Sequence, residues 1–290
     1  MALEQIDRAL SRLQAAGVAS PEADAWHLLA YATGFPRGEL HARAIAGTLE
    51  LSRDVVDQFD QALARREQRE PLWHITGVAP FLNLELSVGP GVFTPRPETE
   101  LLAEQAKTEL ELMPPREGVI QVVDLCAGSG AIGLAIAQGS PHATVLSVEV
   151  SPEAAEYLQS NVTRFAPESV EILIGDVADA LERCAEGSVD LVVSNPPYLV
   201  EGVDELDAET RDSDPDLALF ADRDGLSVID SVITVSSVLL RDGGVLLIEH
   251  GIDHVPQIHQ MLAERGFARV ETIPDLLGRP RFTRAERARR

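Results

Sequence analysis

Two consecutive prolines directly after an apolar run constrain this chain more than any other feature. The run Val189-Asp190-Leu191-Val192-Val193-Ser194 reads as a buried strand, and Asn195-Pro196-Pro197-Tyr198 follows it at once. Proline fixes φ and carries no amide donor, so neither a strand nor a helix continues through the pair. The chain therefore stops at the carboxyl end of a strand, where open α/β sheets place their ligand crevice. That stiff turn offers the Asn195 side-chain carbonyl, the Pro196 backbone carbonyl and the flat, hydroxylated ring of Tyr198. Two acceptors side by side can hold the two hydrogens of a planar NH2 group. The plainer alternative is that the prolines only end a strand and Tyr198 packs on the surface.

The surrounding sequence alternates strand and helix, the signature of a parallel α/β sheet. Strands are expected at 119–125, 145–150, 170–174, 189–194 and 244–249, with a last pair at 268–273 and 281–283. A helix is expected at 97–112, entered through Thr94-Pro95-Arg96-Pro97. Arg96, held between two prolines, is either a plain surface charge or an oriented functional cation.

The first part of the chain reads as helices. Leu3, Ile6, Leu10 and Leu13 recur at helical spacing up to Gly17, and Ser20-Pro21 opens a second helix. A third is expected after Pro36, with Leu40 and Ala44, and a fourth from Ser52, with Val55, Val56, Phe59 and Leu63 on one face. His27 and His41 stand alone and read as structural. Trp73, Ile75, Phe81, Leu84 and Leu86 point to a short hairpin between Gly77 and Gly89. The expected division is a helical domain at 1–72, a hairpin linker at 73–92 and an α/β domain at 93–290.

Gly128-x-Gly130-x-x-Gly133 fits a dinucleotide fingerprint, with Glu149 near the end of the next strand to hold ribose hydroxyls. Asp124, just before this loop, would repel a pyrophosphate and welcome a positively charged ligand, which favours S-adenosylmethionine over a nicotinamide dinucleotide. Asp176, at the end of the third strand, can accept from an adenine amine. Each of the three acids taken alone reads as a polar strand end or a helix cap. Their clustering around one glycine loop reads as a site.

Together, Asp124-Leu125-Cys126-Ala127-Gly128-Ser129-Gly130 and Asn195-Pro196-Pro197-Tyr198 resemble a class I S-adenosylmethionine-dependent methyltransferase acting on a planar nitrogen. Pro71-Leu72-Trp73-His74-Ile75-Thr76-Gly77, Thr94-Pro95-Arg96-Pro97-Glu98-Thr99-Glu100 and Gly278-Arg279-Pro280-Arg281 narrow the resemblance to the HemK/PrmC family. These are N5-glutamine methyltransferases of peptide chain release factors. The resemblance implies a Rossmann-like, mostly parallel sheet behind a helical domain that recognises the protein substrate. It implies that Asp124, Cys126, Ala127, Gly128, Ser129, Gly130, Glu149, Asp176, Val177 and Asn195 hold S-adenosylmethionine. It makes Asn195, Pro196 and Tyr198 catalytic, with Asn195, Pro196, Pro197 and Tyr198 contacting the glutamine of a Gly-Gly-Gln motif. Cys126 stands where the family has glycine, so the backbone there is expected to tolerate a Cβ. Glu149 stands for an aspartate, Val177 for a frequent aromatic and Asp214-Pro215 for Glu-Pro.

Composition sets limits on this reading. The formal net charge of −23 over 290 residues opposes non-specific binding to nucleic acid and favours a basic partner. The acidic stretch 201–224 is either a rim facing such a partner or a source of solubility. The basic tail 279–290 reads as a frayed, solvated terminus. No apolar run reaches the ~18 residues needed to span a bilayer, and the acidic, amphipathic start is not a secretory signal. The two cysteines, Cys126 and Cys184, sit in no metal-ligand spacing. No metal, no membrane and no direct nucleic acid are expected, and the protein is read as a cytoplasmic monomer. A glutamine methyltransferase of a ribosomal protein is the nearest alternative, and an N6-adenine nucleic-acid methyltransferase a more distant one.

Overall fold

The computed structural model describes residues 2–113, 118–204, 206, 208–222 and 224–289. Glu205, Asp207 and Arg223 of the acidic stretch, and Arg290 of the basic tail, lie outside the described residues. The chain divides into two compact units, Met1–Val78 with Leu206–Ser213, and Ala79–Glu205 with Asp214–Arg290.

The first unit is built from α1 (Ala2–Ala15), α2 (Pro21–Thr33), α3 (Arg37–Ile45), α4 (Arg53–Glu67) and α5 (Leu72–Thr76). Ile6, Ala9 and Leu13 bring the apolar stripe of α1 into one buried core with Leu28, Leu29, Leu40, Phe59 and Leu63. Full burial of such a side chain contributes roughly 1.5–3 kcal/mol. Gly34 ends α2 in the left-handed region at φ 71°, its amide donating to Ala30 O. The Ser52 hydroxyl accepts from Val55 N at 3.3 Å and caps α4. At α2 the Ser20 side chain makes no cap bond, and Pro21 alone pre-sets the first turn. Trp73 and Ile75 lie in α5, not in a hairpin: Pro71 precedes this five-residue helix, and Gly77 closes it at φ 73°. His41 stacks on Trp26 with ring centroids 3.8 Å apart. His27 accepts from Arg37 Nη1 at 2.9 Å, and burial first, then Arg37, hold its pKa down to about 4.

The second unit begins at Ala79, inside β1 (Val78–Phe81), which pairs with β2 (Leu84–Ser87) in a two-stranded sheet, and α6 (Pro97–Leu112) follows. The sheet strands and helices follow as β3 (Ile120–Leu125), α7 (Ala131–Gly139), β4 (Ala143–Glu149), α8 (Pro152–Phe165), β5 (Val170–Ile174), α9 (Ala180–Arg183) and β6 (Val189–Ser194). After β7 (Leu199–Val200), α10 (Ala208–Ser213) is part of the first unit. The chain returns through α11 (Asp216–Leu219), β8 (Phe220–Ala221), α12 (Ser227–Leu239), β9 (Leu240–Glu249), α13 (Val255–Glu264), β10 (Phe267–Pro274) and β11 (Pro280–Arg287). Among the described residues, no helix is long and apolar enough to cross a membrane.

The seven-stranded sheet has the order β10-β11-β9-β6-β3-β4-β5. Its β3, β4, β5, β6 and β9 are parallel, while β11 runs antiparallel to both β9 and β10. The order steps outward from β3 to β5 and then returns to β6, so the topological switch lies between β3 and β6. There the carboxyl ends of neighbouring strands open a crevice.

The basic tail is not frayed. Residues 280–287 form β11, inside the sheet, with Phe282, Thr283 and Ala285 buried. Its arginines are absorbed by partners. Arg284 donates to both Glu109 carboxylate oxygens at 2.7 and 2.8 Å, and Arg287 Nη1 donates to the carbonyls of Arg265 and Gly266. Bidentate pairing of this kind is what makes arginine tolerable in a sheet interior.

Candidate active site

The glycine loop follows β3. Cys126 leaves the strand at φ 61°, Gly128 follows at 55° and Gly130 at 85°. The left-handed region costs a residue with a Cβ roughly 1–2 kcal/mol, so Cys126 occupies strained backbone, contrary to the tolerant geometry expected there. Gly130 serves packing: a Cβ would stand 2.6 Å from Leu158 Cδ1. Gly128 serves openness, for a Cβ built there meets nothing within 4 Å. Ala127, Ser129 and Gly130 are buried and Cys126 is half-buried against the core, which leaves Gly128 as the open position of the loop.

Three side chains hold the loop. Asp124 is fully buried, and its Oδ2 accepts from Gly133 N at 2.9 Å. Burial first, opposed by that amide and reinforced by Glu149, pushes its carboxyl up to about 7. The sequence reading turns Asp124 toward a charged ligand; the structure places it beneath the loop as a brace. Glu149, at the end of β4, accepts from Gly128 N at 2.7 Å and from Ser151 N at 2.8 Å. Asn161 of α8 is buried; its amide donates to Ser129 O at 2.9 Å and Ser87 O at 3.1 Å, while its oxygen accepts from Ser87 N. Sequence reasoning missed Asn161, because nothing in its neighbourhood separates a buried amide from a surface one.

Asp176 follows β5 and caps a short 3-10 turn, its Oδ1 accepting from Ala178 N at 3.1 Å. Val177, next to it, is buried in the core under α12.

Across the switch point, Leu125 of β3 and Ser194 of β6 are register partners, so Cys126 and Asn195 are the next residues on adjacent strands. Asn195 and Pro197 are half-buried and Pro196 is buried. The Asn195 amide donates to Thr99 Oγ1 at 3.1 Å, and its Oδ1 has no partner among the described residues. The Thr99 hydroxyl donates to Glu249 Oε2 at 2.9 Å. The Tyr198 hydroxyl donates to Glu249 Oε1 at 3.2 Å and accepts from Arg281 Nη1 at 3.3 Å. Burial first, then the Glu249 charge, raises the Tyr198 phenol well above its ordinary range.

The segment 94–100 is a scaffold in which nearly every residue is used. Thr94 N donates to Asp214 Oδ1 at 3.3 Å, and Arg96 pairs with Asp214 while its guanidinium lies 5.1 Å from the Phe93 ring centroid. Glu98 lies 3.6 Å from Arg279, and Glu100 accepts from Leu82 N at 2.9 Å in the β1–β2 turn. Several acids of 201–224 are engaged likewise. Asp204 accepts from Val200 N, Asp224 from Leu226 N, and Glu209 pairs with Arg66 and Arg69 within the first unit. Acidity in this stretch is therefore partly structural, a use that neither a rim nor solubility describes.

Relatives span the chain nearly end to end. A release factor glutamine methyltransferase of Streptomyces coelicolor is 43% identical over 288 residues, which are 99% of this chain and 98% of its own. Those of Mycolicibacterium smegmatis and Escherichia coli K12 are 44% and 37% identical, covering 98% and 95% of this chain and 97% and 95% of their own. The chain belongs to the release factor glutamine methyltransferase family.

The PrmC N-terminal domain matches residues 4–77 and the Methyltransferase small domain residues 84–211. Among solved structures, a T. thermophilus 16S rRNA N2 G1207 methyltransferase in complex with AdoMet and guanosine is 28% identical. It covers 73% of this chain and 50% of its own, with a TM-score of 0.51. As a member of this family the chain is a class I, S-adenosylmethionine-dependent methyltransferase. What sequence reasoning missed in this site is the support behind the turn at 195–198: Thr99, Glu249 and Arg281. Thr99 and Arg281 lie inside motifs that carried the resemblance, while Glu249 ends a strand as a buried acid, as Asp124 and Glu149 do.

Proposed function

We propose that this chain transfers a methyl group from S-adenosylmethionine to the side-chain amide nitrogen of the glutamine in the Gly-Gly-Gln motif of a peptide chain release factor. The observation that carries this reading is the juxtaposition at the β3/β6 switch. An open glycine loop and an asparagine with an unpartnered oxygen leave adjacent strands one residue beyond a register pair. The relatives' names supply the substrate class.

The residues present fit the cofactor. Gly128 leaves free space where a Cβ would stand, and carboxylates end or follow β4 and β5 at Glu149 and Asp176. Backbone at Cys126 and Gly128 would line it, Glu149 would take its ribose hydroxyls, Asp176 and Val177 its adenine, and Asn195 its reactive end. When bound, S-adenosylmethionine supplies an electrophilic methyl group. An amide nitrogen is a poor nucleophile, because its lone pair is delocalised, so the protein's task is placement; the nitrogen gives up one of its two protons to solvent once it carries the methyl group. Asn195 Oδ1 and the Pro196 carbonyl accept the two amide hydrogens, Pro197 keeps the turn stiff, and the Tyr198 ring packs beside the amide plane. Orientation of this kind supplies at best ~7–11 kcal/mol.

The net charge of −23 suits a basic protein partner better than a phosphate backbone. We take the protein to act in the cytoplasm, as a monomer, without direct contact to nucleic acid.

The test is transfer of label from radioactive S-adenosylmethionine to a purified release factor, beside a copy whose Gly-Gly-Gln glutamine is alanine. Label in the first and none in the second is expected. Asn195→Ala should abolish transfer while leaving cofactor binding measurable by calorimetry. No label in either protein, with cofactor bound, would move the substrate to another glutamine, with ribosomal proteins next in order.

A further inference from the structure

We propose that Glu249 is a positioning residue that fixes which end of the Asn195 amide meets the substrate, acting through the Thr99 hydroxyl. The proposal rests on the reading of Asn195 as the clamp for a substrate NH2 group, and it adds what gives that clamp its polarity.

Donors and acceptors set the polarity. An ionised carboxylate only accepts. Thr99 Oγ1, 2.9 Å from Glu249 Oε2, must therefore spend its single proton on Glu249. Toward Asn195, 3.1 Å away, the same hydroxyl can then only accept. Asn195 is obliged to turn its NH2 to Thr99 and its Oδ1 away, where that oxygen has no partner among the described residues. A substrate amide thus meets an acceptor. A protonated Glu249 reverses the sequence. The carboxyl donates to Thr99, Thr99 donates to Asn195, and the amide rotates to present its NH2 to a substrate NH2. Two donors face each other and the clamp fails.

The same carboxylate holds Tyr198, the other end of the tetrapeptide, at 3.2 Å through Oε1. Glu249 and Thr99 are each 4% exposed, so water does not compete for these bonds. The charged and titratable groups around Glu249 come from every side. Arg281 of β11 reaches it through Tyr198, and Asp275 lies 3.9 Å from Arg281. Glu98 of α6 opposes its charge. His254 stands edge-on to the Tyr198 ring, and His250, next in the chain, is tied to Gly251 O and Thr283. Burial outweighs the bonds from Thr99 and Tyr198 and the nearby Arg281 charge, and pushes the Glu249 carboxyl up to about 7. The working polarity is therefore present above about pH 7 and lost as pH falls through it.

The deciding measurement follows the Asn195 side-chain NH2 in nitrogen-15-labelled protein, assigned by its loss in Asn195→Ala. In the wild type this resonance should move with a midpoint near the Glu249 value of about 7. In Glu249→Gln and in Thr99→Val the movement should disappear, although Asp124 titrates in the same range in all three. Transfer to a release factor is read in parallel. Either variant should lower kcat by about 10²-fold at alkaline pH, with cofactor affinity unchanged. Glu249→Gln should flatten the acid limb of the kcat profile, and Thr99→Ser should restore the wild-type value. An Asn195 resonance that titrates identically in wild type and Glu249→Gln would overturn the proposal. A wild type that labels no release factor would instead remove the substrate reading, while the resonance still decides the role of Glu249.

Discussion

At the scale of single residues, two of the three buried carboxyls around the site, Asp124 and Glu249, are raised alike. Asp124 braces the glycine loop, Glu249 accepts from Thr99 and Tyr198 beside the turn at 195–198, and burial raises both to about 7. A carboxyl whose folded pKa is raised contributes stability that is fully present below its unfolded value. That contribution is lost as pH rises through the folded value, because the unfolded chain ionises first. For Glu249 the window runs from about 4.5 to about 7. Glu249→Gln removes the titration, so its stability relative to wild type should rise across this window and level off above it. The rise is at most ~3 kcal/mol, read from urea unfolding followed by far-ultraviolet circular dichroism. A difference between the two proteins that does not change with pH would show that Glu249 does not titrate there. Function and stability thus pull on this residue in opposite directions, which is usual where a site holds a buried charge.

At the scale of elements, what the sequence disclosed and what it hid have physical reasons. The helix at 97–112 is legible to the residue because Pro97 stands at its first turn and the apolar positions Leu102, Ala103, Ala106 and Leu110 recur at helical spacing. Strands β5 and β6 are legible because both are short and rich in Val, Leu and Ile, and the second is stopped by proline. The turn at 195–198 and the glycine loop are legible as a strand stop and a tight loop, since prolines and glycines act on their own backbone. Their supports are not: Thr99, Asn161, Glu249 and Arg281 act through contacts 32 to 150 residues away. Strand β11 misleads for the same reason. Its arginines look solvated until Glu109 and Tyr198 are brought beside them by the fold. If β11 is a structural strand, Phe282, 2% exposed, is core. Phe282→Ala should cost about 3–5 kcal/mol in the same circular-dichroism unfolding, whereas a frayed tail would give no measurable change.

At the scale of the whole molecule, the chain between the clamp and α11 leaves one compact unit and enters the other. Residues up to Asp204 belong with the sheet, 206–213 belong with the helices, and Asp214 belongs with the sheet again. Each station is fastened by an acid. Asp204 accepts from Val200 N, Glu209 pairs with Arg66 and Arg69, and Asp214 pairs with Arg96. The middle fastening is the buried one: Arg66 is 4% exposed and also donates to Asp24 Oδ2 at 2.7 Å. Burial works against the Arg66 charge, and the bonds from Glu209 and Asp24 more than offset it, so its pKa is raised. Removing one partner of a buried ion pair costs about 3–5 kcal/mol, and less here because Asp24 remains. Glu209→Ala should therefore destabilise the helical unit by roughly 1–3 kcal/mol. Both tryptophans, Trp26 and Trp73, lie in that unit, so tryptophan fluorescence reads it selectively. The urea midpoint of this signal should fall in Glu209→Ala, and limited proteolysis should cut within 201–213 sooner. Glu201→Ala removes the same charge from an exposed position of the same segment and should change neither. Equal behaviour of the two variants would mean that the segment is held by net charge or by backbone alone, and that Glu209 does not fasten it.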